Sequence, residues 1–273
     1  MTRIVLLLAV IITAVFLLFQ PYPFVQGLIV IMFCFTVLWL ISILLKDSSI
    51  IDIFWGTGFV LTVWFYRYSG GLDDARSLIF CSIVTLWGLR LSIHLAFRNI
   101  GKGEDYRYKE WRKESGKKWW WVSFFKVFLL QGILLWLISS LYVPALSSEF
   151  NDLQPLDYIG IGIWLMGFIF EAAGDWQLTQ FKKKSSNKGK VLQTGLWSRT
   201  RHPNYFGDAA QWWGYFLFAC TNQQYLFAFS PLLMTFLLMQ VSGVTLLEKK
   251  LTETKPQYDE YVNRVPAFFP KIF

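Results

Sequence analysis

Charge is scarce in this chain of 273 residues: 16% of positions are Asp, Glu, Lys or Arg, against about 25% in soluble domains. With 55% hydrophobic and 19% aromatic residues and a mean hydropathy of +0.41, that scarcity excludes an ordinary soluble domain and points to a multi-span membrane protein. Histidine occurs twice, far apart, and there is no H-E-x-x-H, which argues against a zinc enzyme though not against every metal, and no residue is assigned to a metal. The three cysteines, Cys34, Cys81 and Cys220, stand alone in apolar runs without a C-x-x-C, which leaves packing as their expected role. No A-x-A site follows the apolar run after Arg3, so that run reads as an uncleaved first helix rather than a signal peptide. Neither an internal repeat nor a Gly/Ser or Pro linker divides the chain, and a single domain over 1–273 is expected. G-x-G-x-x-G and P-loop motifs are also missing, since G-T-G-F-V-L and G-I-G-I-W-L both lack the third glycine. A nucleotide would therefore have to be held by side chains in a helical cavity.

What is present is a series of apolar runs near the length of about 20 residues that a membrane helix needs. They cover 3–19, 24–45, 51–68, 77–97, 122–145, 156–178, 204–221 and 226–247. This predicts an all-α, polytopic helical bundle of about eight spans, or seven if one assignment is wrong. The segment 98–118 carries eight basic residues, and 181–201 carries seven with no acid. Between them, S-S-E-F-N-D-L-Q-P-L-D is acidic and has no base, while the tail from Lys249 is basic again. Positive-inside reasoning places both basic loops and both termini in the cytoplasm. The net charge of +8 thus describes topology, not an affinity for nucleic acid.

One stretch, Gly195 to Tyr215, gathers unusual chemistry: G-L-W-S-R-T-R-H-P-N-Y-F-G-D-A-A-Q-W-W-G-Y. Pro203 disfavours helix at His202 and is itself tolerated in a first turn, so a helix is expected to begin there. Asp208 is expected on the first turn of that helix, and Asn204, Asp208, Trp212 and Tyr215 share one face by spacing. Arg199 and Arg201 beside a helix entry suit a phosphate or carboxylate. A basic loop at a membrane surface, followed by a capped helix, is the plainer reading; the density of distinct polar types favours a site.

Ionisable residues inside the apolar runs are the second signal, because each costs roughly 2.5–3.5 kcal/mol on insertion scales and usually faces a partner or cavity. Asp52, Arg90, His94, Glu171 and Asp175 qualify. Arg90 pairing with Asp52 or Glu171 to hold the bundle is as good a reading as function, whereas Glu171 and Asp175, four apart and leading into the lysine run, look functional. The loop ending in Trp119, Trp120 and Trp121 reads as an interfacial amphipathic helix attracted to anionic membrane lipids. The tail T-E-T-K-P-Q-Y-D-E-Y-V-N-R-V-P-A-F-F-P is too polar to span and too aromatic to be disordered, so it is expected to pack back over the cytoplasmic mouth.

The run L-W-S-R-T-R-H-P-N-Y-F-G-D, the W-W-G after it, and S-G-V-T-L-L-E with Y-D-E-Y-V-N-R-V-P-A-F-F-P resemble the C-terminal half of steroid 5-alpha-reductases and sterol reductases, and above all their bacterial branch. I-D-I-F-W-G and Y-K-E-W-R extend the likeness over much of the chain. It implies an integral bundle, multi-pass in a bacterial inner membrane, holding NADPH in a cytoplasm-facing cavity, with the cofactor half at about 155–273. On the matching positions it implies Asp175, Lys182, Lys190, Asn204, Tyr205, Asp208 and Glu248 as cofactor-binding residues, beside Arg199 and Arg201 of the helix entry. The implied activity is an oxidoreductase acting on the CH–CH group of a lipid-soluble enone, of steroid, sterol or isoprenoid type. Two departures weaken the substrate part: Val244 and Glu248 stand where the steroid enzymes have Arg and His, and no Gln-Glu pair for a steroid ketone is found.

Hydride transfer needs a dry cavity and a group that protonates or polarises the acceptor. His202 and Tyr205 are the nearest catalytic candidates by inventory, and Trp212, Trp213 and Tyr215 are expected to wall the cavity. Two other readings remain open. An S-adenosylmethionine-dependent methyltransferase of the isoprenylcysteine or phospholipid type shares R-H-P-x-Y, although the acid-free lysine run suits a phosphorylated cofactor better. A transporter would line its path with the intramembrane charges, yet the polar residues crowd one half of the membrane.

Overall fold

The structure is a computed structural model and describes residues 23–147, 149–241, 244–255 and 257–271. The expected span 3–19 lies outside the described residues. Those residues contain helices and no strand. The chain divides into two compact units, one up to Leu153 and one from Gln154 onward.

The first unit holds α1 (Phe24–Leu45), α2 (Ile50–Ser69), α3 (Ala75–Asn99) and α4 (Tyr106–Ser115). From Trp119 the chain continues helically as α5 (Trp119–Ser123), a π-helical turn (Phe124–Leu129), α6 (Leu130–Ser139) and α7 (Tyr142–Leu146). Lys46 ends α1 in the left-handed region at φ 53°, and Asp74 caps α3 by accepting from the Ser77 N–H at 2.7 Å. α2 and α3 cross where two glycines meet, since a Cβ on Gly88 would stand 2.6 Å from the Gly56 carbonyl oxygen. Phe59, Phe80, Trp87 and Tyr142 fill the space around that crossing, all fully buried.

The expected interfacial helix exists as α4, but it sorts its charges. Arg112 turns inward to Glu104 at 2.7 Å and Arg107 to Asp52 at 2.9 Å, while Lys109, Lys113, Lys117 and Lys118 stay exposed. Asp52, one of the two partners expected for Arg90, is engaged by Arg107 and by the Tyr108 hydroxyl, which donates to it at 2.6 Å. A planar guanidinium on the first turn of α4 reaches the carboxylate of α2.

The second unit is built on α8 (Pro155–Lys183) and α9 (Pro203–Thr221), followed by α10 (Phe229–Phe236), α11 (Val244–Thr254) and α12 (Tyr258–Arg264). α8 and α9 approach backbone to backbone because their glycines recur every seven residues. Gly160 faces Gly214, Gly167 faces Gly207, and Gly174 faces Pro203 and Asn204. A Cβ on Gly167 would come within 2.5 Å of the Gly207 carbonyl oxygen. Alongside this seam runs a file of buried polar pairs. Trp164 donates to the Tyr215 hydroxyl at 2.9 Å, Gln211 to Glu171 at 2.7 Å and Asn204 to Asp175 at 3.0 Å. In each of these three pairs a polar group meets another across the seam instead of lipid.

Among the described residues, four helical stretches are long and apolar enough to cross a membrane: 24–45, 75–99, 106–146 and 155–183. They make this an integral membrane protein of all-helical fold. The helices 50–69 and 203–221 coincide with two further expected runs without meeting that standard.

Candidate functional site

The motif loop and the C-terminal segment form one substructure within the second unit. As the sequence predicts, Pro203 opens α9, with His202 at the N-cap. The helix therefore starts five residues before Asp208, and at 3.6 residues per turn Asp208 falls in the second turn rather than the first.

Upstream of His202 the backbone is laced to the tail. The Arg201 N–H donates to the Pro266 carbonyl at 2.9 Å, the Lys271 N–H to the Arg199 carbonyl at 2.9 Å, and the Thr200 hydroxyl to the Phe268 carbonyl at 2.9 Å. Tyr261 donates its hydroxyl to the Trp197 carbonyl. Tyr258, Tyr261 and Val265 make a small core of their own, against which Val191, Leu251 and Val262 pack.

Arg201 is the keystone of this arrangement. Its guanidinium meets Glu248 through Nε at 2.7 Å and Nη2 at 3.1 Å, and Nη1 donates to the carbonyls of Val265 at 2.6 Å and Val262 at 3.1 Å. One planar fork thus satisfies two carbonyls near the end of α12 and a carboxylate on α11. His202 Nε2 lies 2.9 Å from the same Glu248 oxygen. Burial by itself would raise the Glu248 carboxyl. The hydrogen bonds from His202 and Arg201, with the Arg201 charge, prevail and bring it down to about 2. Tyr205 stacks parallel to the His202 ring at 5.5 Å.

A cavity of about 410 Å³ opens beside these residues, within the size range of small-molecule sites. Its wall includes Lys182 and Lys190 as well as Lys183, Lys184, Lys188 and Lys255. Arg201, His202, Trp197, Tyr258 and Tyr261 complete the polar and aromatic part. Lys183, Lys184 and Lys188 line the cavity because the chain curls at Ser185–Asn187 and returns past it.

The other expected site residues are placed differently. Asp175 and Asn204 bond each other across the α8–α9 seam, Asp208 is buried in α9, and Arg199 turns to the tail. Trp212 and Tyr215, expected as cavity walls, are buried at 0% exposure and pack edge to face in the unit's core, while Trp213 is 36% exposed. No group of three or more His, Cys, Asp or Glu suited to a metal occurs among the described residues. Sequence reasoning missed Trp197, Lys255 and the two tail tyrosines as cavity residues.

Residues 38–265 match the family model described as protein of unknown function, DUF1295. The chain belongs to the DUF1295 family. An uncharacterized protein of Schizosaccharomyces pombe is 26% identical over 284 residues, covering 93% of this chain and 81% of that protein. The 3-oxo-5-alpha-steroid 4-dehydrogenase 1 proteins of Homo sapiens and Macaca fascicularis are each 33% identical over 76 residues. That match covers 28% of this chain and 29% of each steroid enzyme, so it is a weak likeness to part of an oxidoreductase. No solved structure matches.

Proposed function

We propose that this protein is a membrane-embedded, NADPH-dependent reductase acting on a C=C bond of a lipid-soluble enone. The observation that carries the reading is the cavity: six lysines around a space whose wall also offers Trp197, Tyr258 and Tyr261. Such a set fits a phosphorylated, aromatic ligand. Lysines meet phosphate charge, and flat side chains meet a heterocycle. The partial likeness to 3-oxo-5-alpha-steroid 4-dehydrogenase 1 points the same way.

In this reading Lys182 and Lys190, aided by their neighbours, hold the phosphates. Arg201 and Glu248 hold the tail tyrosines in place as the far wall. The Asp175–Asn204 pair fixes an amide at the start of α9 for the cofactor's polar edge. NADPH, when bound, supplies the hydride. Of the two expected catalytic residues, His202 lines the cavity and Tyr205 stacks on its ring. We further propose eight spans in one integral domain, with 98–121, 181–203 and the tail on the cytoplasmic side, from the loop charge asymmetry.

Isothermal titration of the purified full chain with NADPH, NADH and S-adenosylmethionine tests this. NADPH is expected to bind more tightly than NADH, and S-adenosylmethionine not at all. Binding of S-adenosylmethionine without NADPH would overturn the reductase in favour of a methyltransferase.

A further inference from the structure

The Glu248–His202 contact decides what the other side of the imidazole can do. A carboxylate only accepts, so the hydrogen on that side belongs to Nε2, 2.9 Å from the Glu248 oxygen. In the neutral ring Nδ1 is then a bare lone pair. Nδ1 has no hydrogen-bond partner among the described residues, in a side chain exposed by only 2%. Buried polar atoms are nearly always paired, and one left over at a cavity wall calls for an explanation. His202 belongs to that wall.

The groups around the ring narrow the answer. Arg201 and Glu248 stand on the Nε2 side, and Tyr205 covers a face at 5.5 Å. Tyr258 and Tyr261 of α12, with Lys182 and Lys190, line the same cavity. The lysines are donors only, made for phosphate oxygens. A bare Nδ1 repels a phosphate oxygen and seeks a donor. Asn204, two residues on, repeats the pattern: its Nδ2 is spent on Asp175 at 3.0 Å, leaving Oδ1 as a second acceptor with no partner among the described residues.

We infer that His202 binds the ligand rather than protonating it, its Nδ1 accepting a hydrogen bond from an O–H or N–H of a nucleotide, a sugar hydroxyl or a carboxamide, while the lysines take the phosphates. This rests on the cavity being the nucleotide site.

Titration calorimetry of the full chain with NADPH, ADP and inorganic pyrophosphate separates the possibilities. His202→Gln places its amide near the Nε2 position and empties the Nδ1 position, whereas His202→Asn does the reverse. His202→Gln is expected to weaken NADPH about tenfold, the worth of one buried neutral hydrogen bond. Pyrophosphate, which at its phosphates offers acceptors, should bind both variants as it binds wild type, and His202→Asn should restore most of the NADPH affinity. Equal weakening of pyrophosphate and NADPH in His202→Gln would make Nδ1 a phosphate donor and overturn the inference. So would unchanged NADPH binding in His202→Gln, or a loss confined to His202→Asn. If His202→Gln aggregates, the Asn variant decides: retained affinity supports the acceptor role and lost affinity overturns it. A wild-type protein that binds ADP but not NADPH would end the reductase reading and leave the inference to be read from ADP. A wild-type protein that binds neither would overturn both.

Discussion

Glu248→Gln should expose how strongly the tail is fastened to the motif. The wild-type carboxylate takes two bonds from Arg201 and one from His202, and its side chain is 21% exposed. Its folded value of about 2 against an ordinary 4.5 is worth roughly 3 kcal/mol at about 1.4 kcal/mol per unit, an upper figure given the partial exposure. Because the folded value is depressed, this stabilisation is fully present above about pH 4.5. It drains away as pH falls toward 2. At pH 3.5 roughly 1.4 kcal/mol should already be gone from wild type. The variant should lose about 2–3 kcal/mol at pH 7, as Arg201 keeps its charge without a carboxylate, and it should lack this part of the acid dependence. Thermal unfolding of both proteins in one detergent at pH 7, 5 and 3.5 measures it. Parallel acid destabilisation in wild type and variant would refute the argument, since the carboxyl could not then be the titrating group.

Other substitutions probe other parts of the structure. Lys190→Ala should weaken NADPH by about one to two decades and NADH much less, read by titration calorimetry, because a 2′-phosphate needs a nearby cation. An equal loss for both cofactors would move Lys190 to the pyrophosphate. Asp208→Asn should weaken NADPH binding in a well-folded protein, and unchanged affinity would return Asp208 to a purely structural role. Gly207→Ala should cost about 1–3 kcal/mol in thermal unfolding, since its Cβ would stand 2.5 Å from the Glu171 backbone nitrogen, whereas Gly162→Ala, with nothing within 4 Å, should cost none. For topology, Ser185→Cys should resist an impermeant thiol reagent applied to intact cells, while Ser148→Cys, outside the described residues, should react. The opposite pattern would invert the assigned orientation.

Helices were the legible part of this chain. Runs of apolar residues forced helix on 24–45 and 203–221, and Pro203 marked the start of the latter to the residue. The seam between α8 and α9 was written just as plainly, in glycines at 160 and 167 facing 214 and 207, but it is legible only once the partner helix is known. Seven-residue spacing on one helix does not say which neighbour it meets. The site was half legible. Arg201 and His202 stood out as motif residues, yet their partners lie 46 to 64 positions downstream, in a segment whose polarity says only that it does not span. Asp208 lies five residues past Pro203, which puts it in the second turn.

A count of basic residues also conceals a division of labour that geometry reveals. Arg76 is 1% exposed and donates to the Ala145 carbonyl at 2.8 Å. Arg107 and Arg112 close on Asp52 and Glu104, and Arg201 binds Glu248 and two carbonyls. In each case the rigid fork satisfies several acceptors at once, which a single ammonium on a flexible stem does poorly. The lysines behave otherwise. Those of α4 and those between 182 and 190 keep their side chains at the surface, the latter around the cavity. Topology reasoning weighs Arg and Lys alike, because either disfavours crossing the membrane. At the cavity they are not alike, since Arg201 ties its wall to the tail and the lysines present the charge. Replacing Arg201 by Lys would therefore keep the net charge and still undo the wall, for one ammonium cannot span a carboxylate and the two carbonyls of the tail.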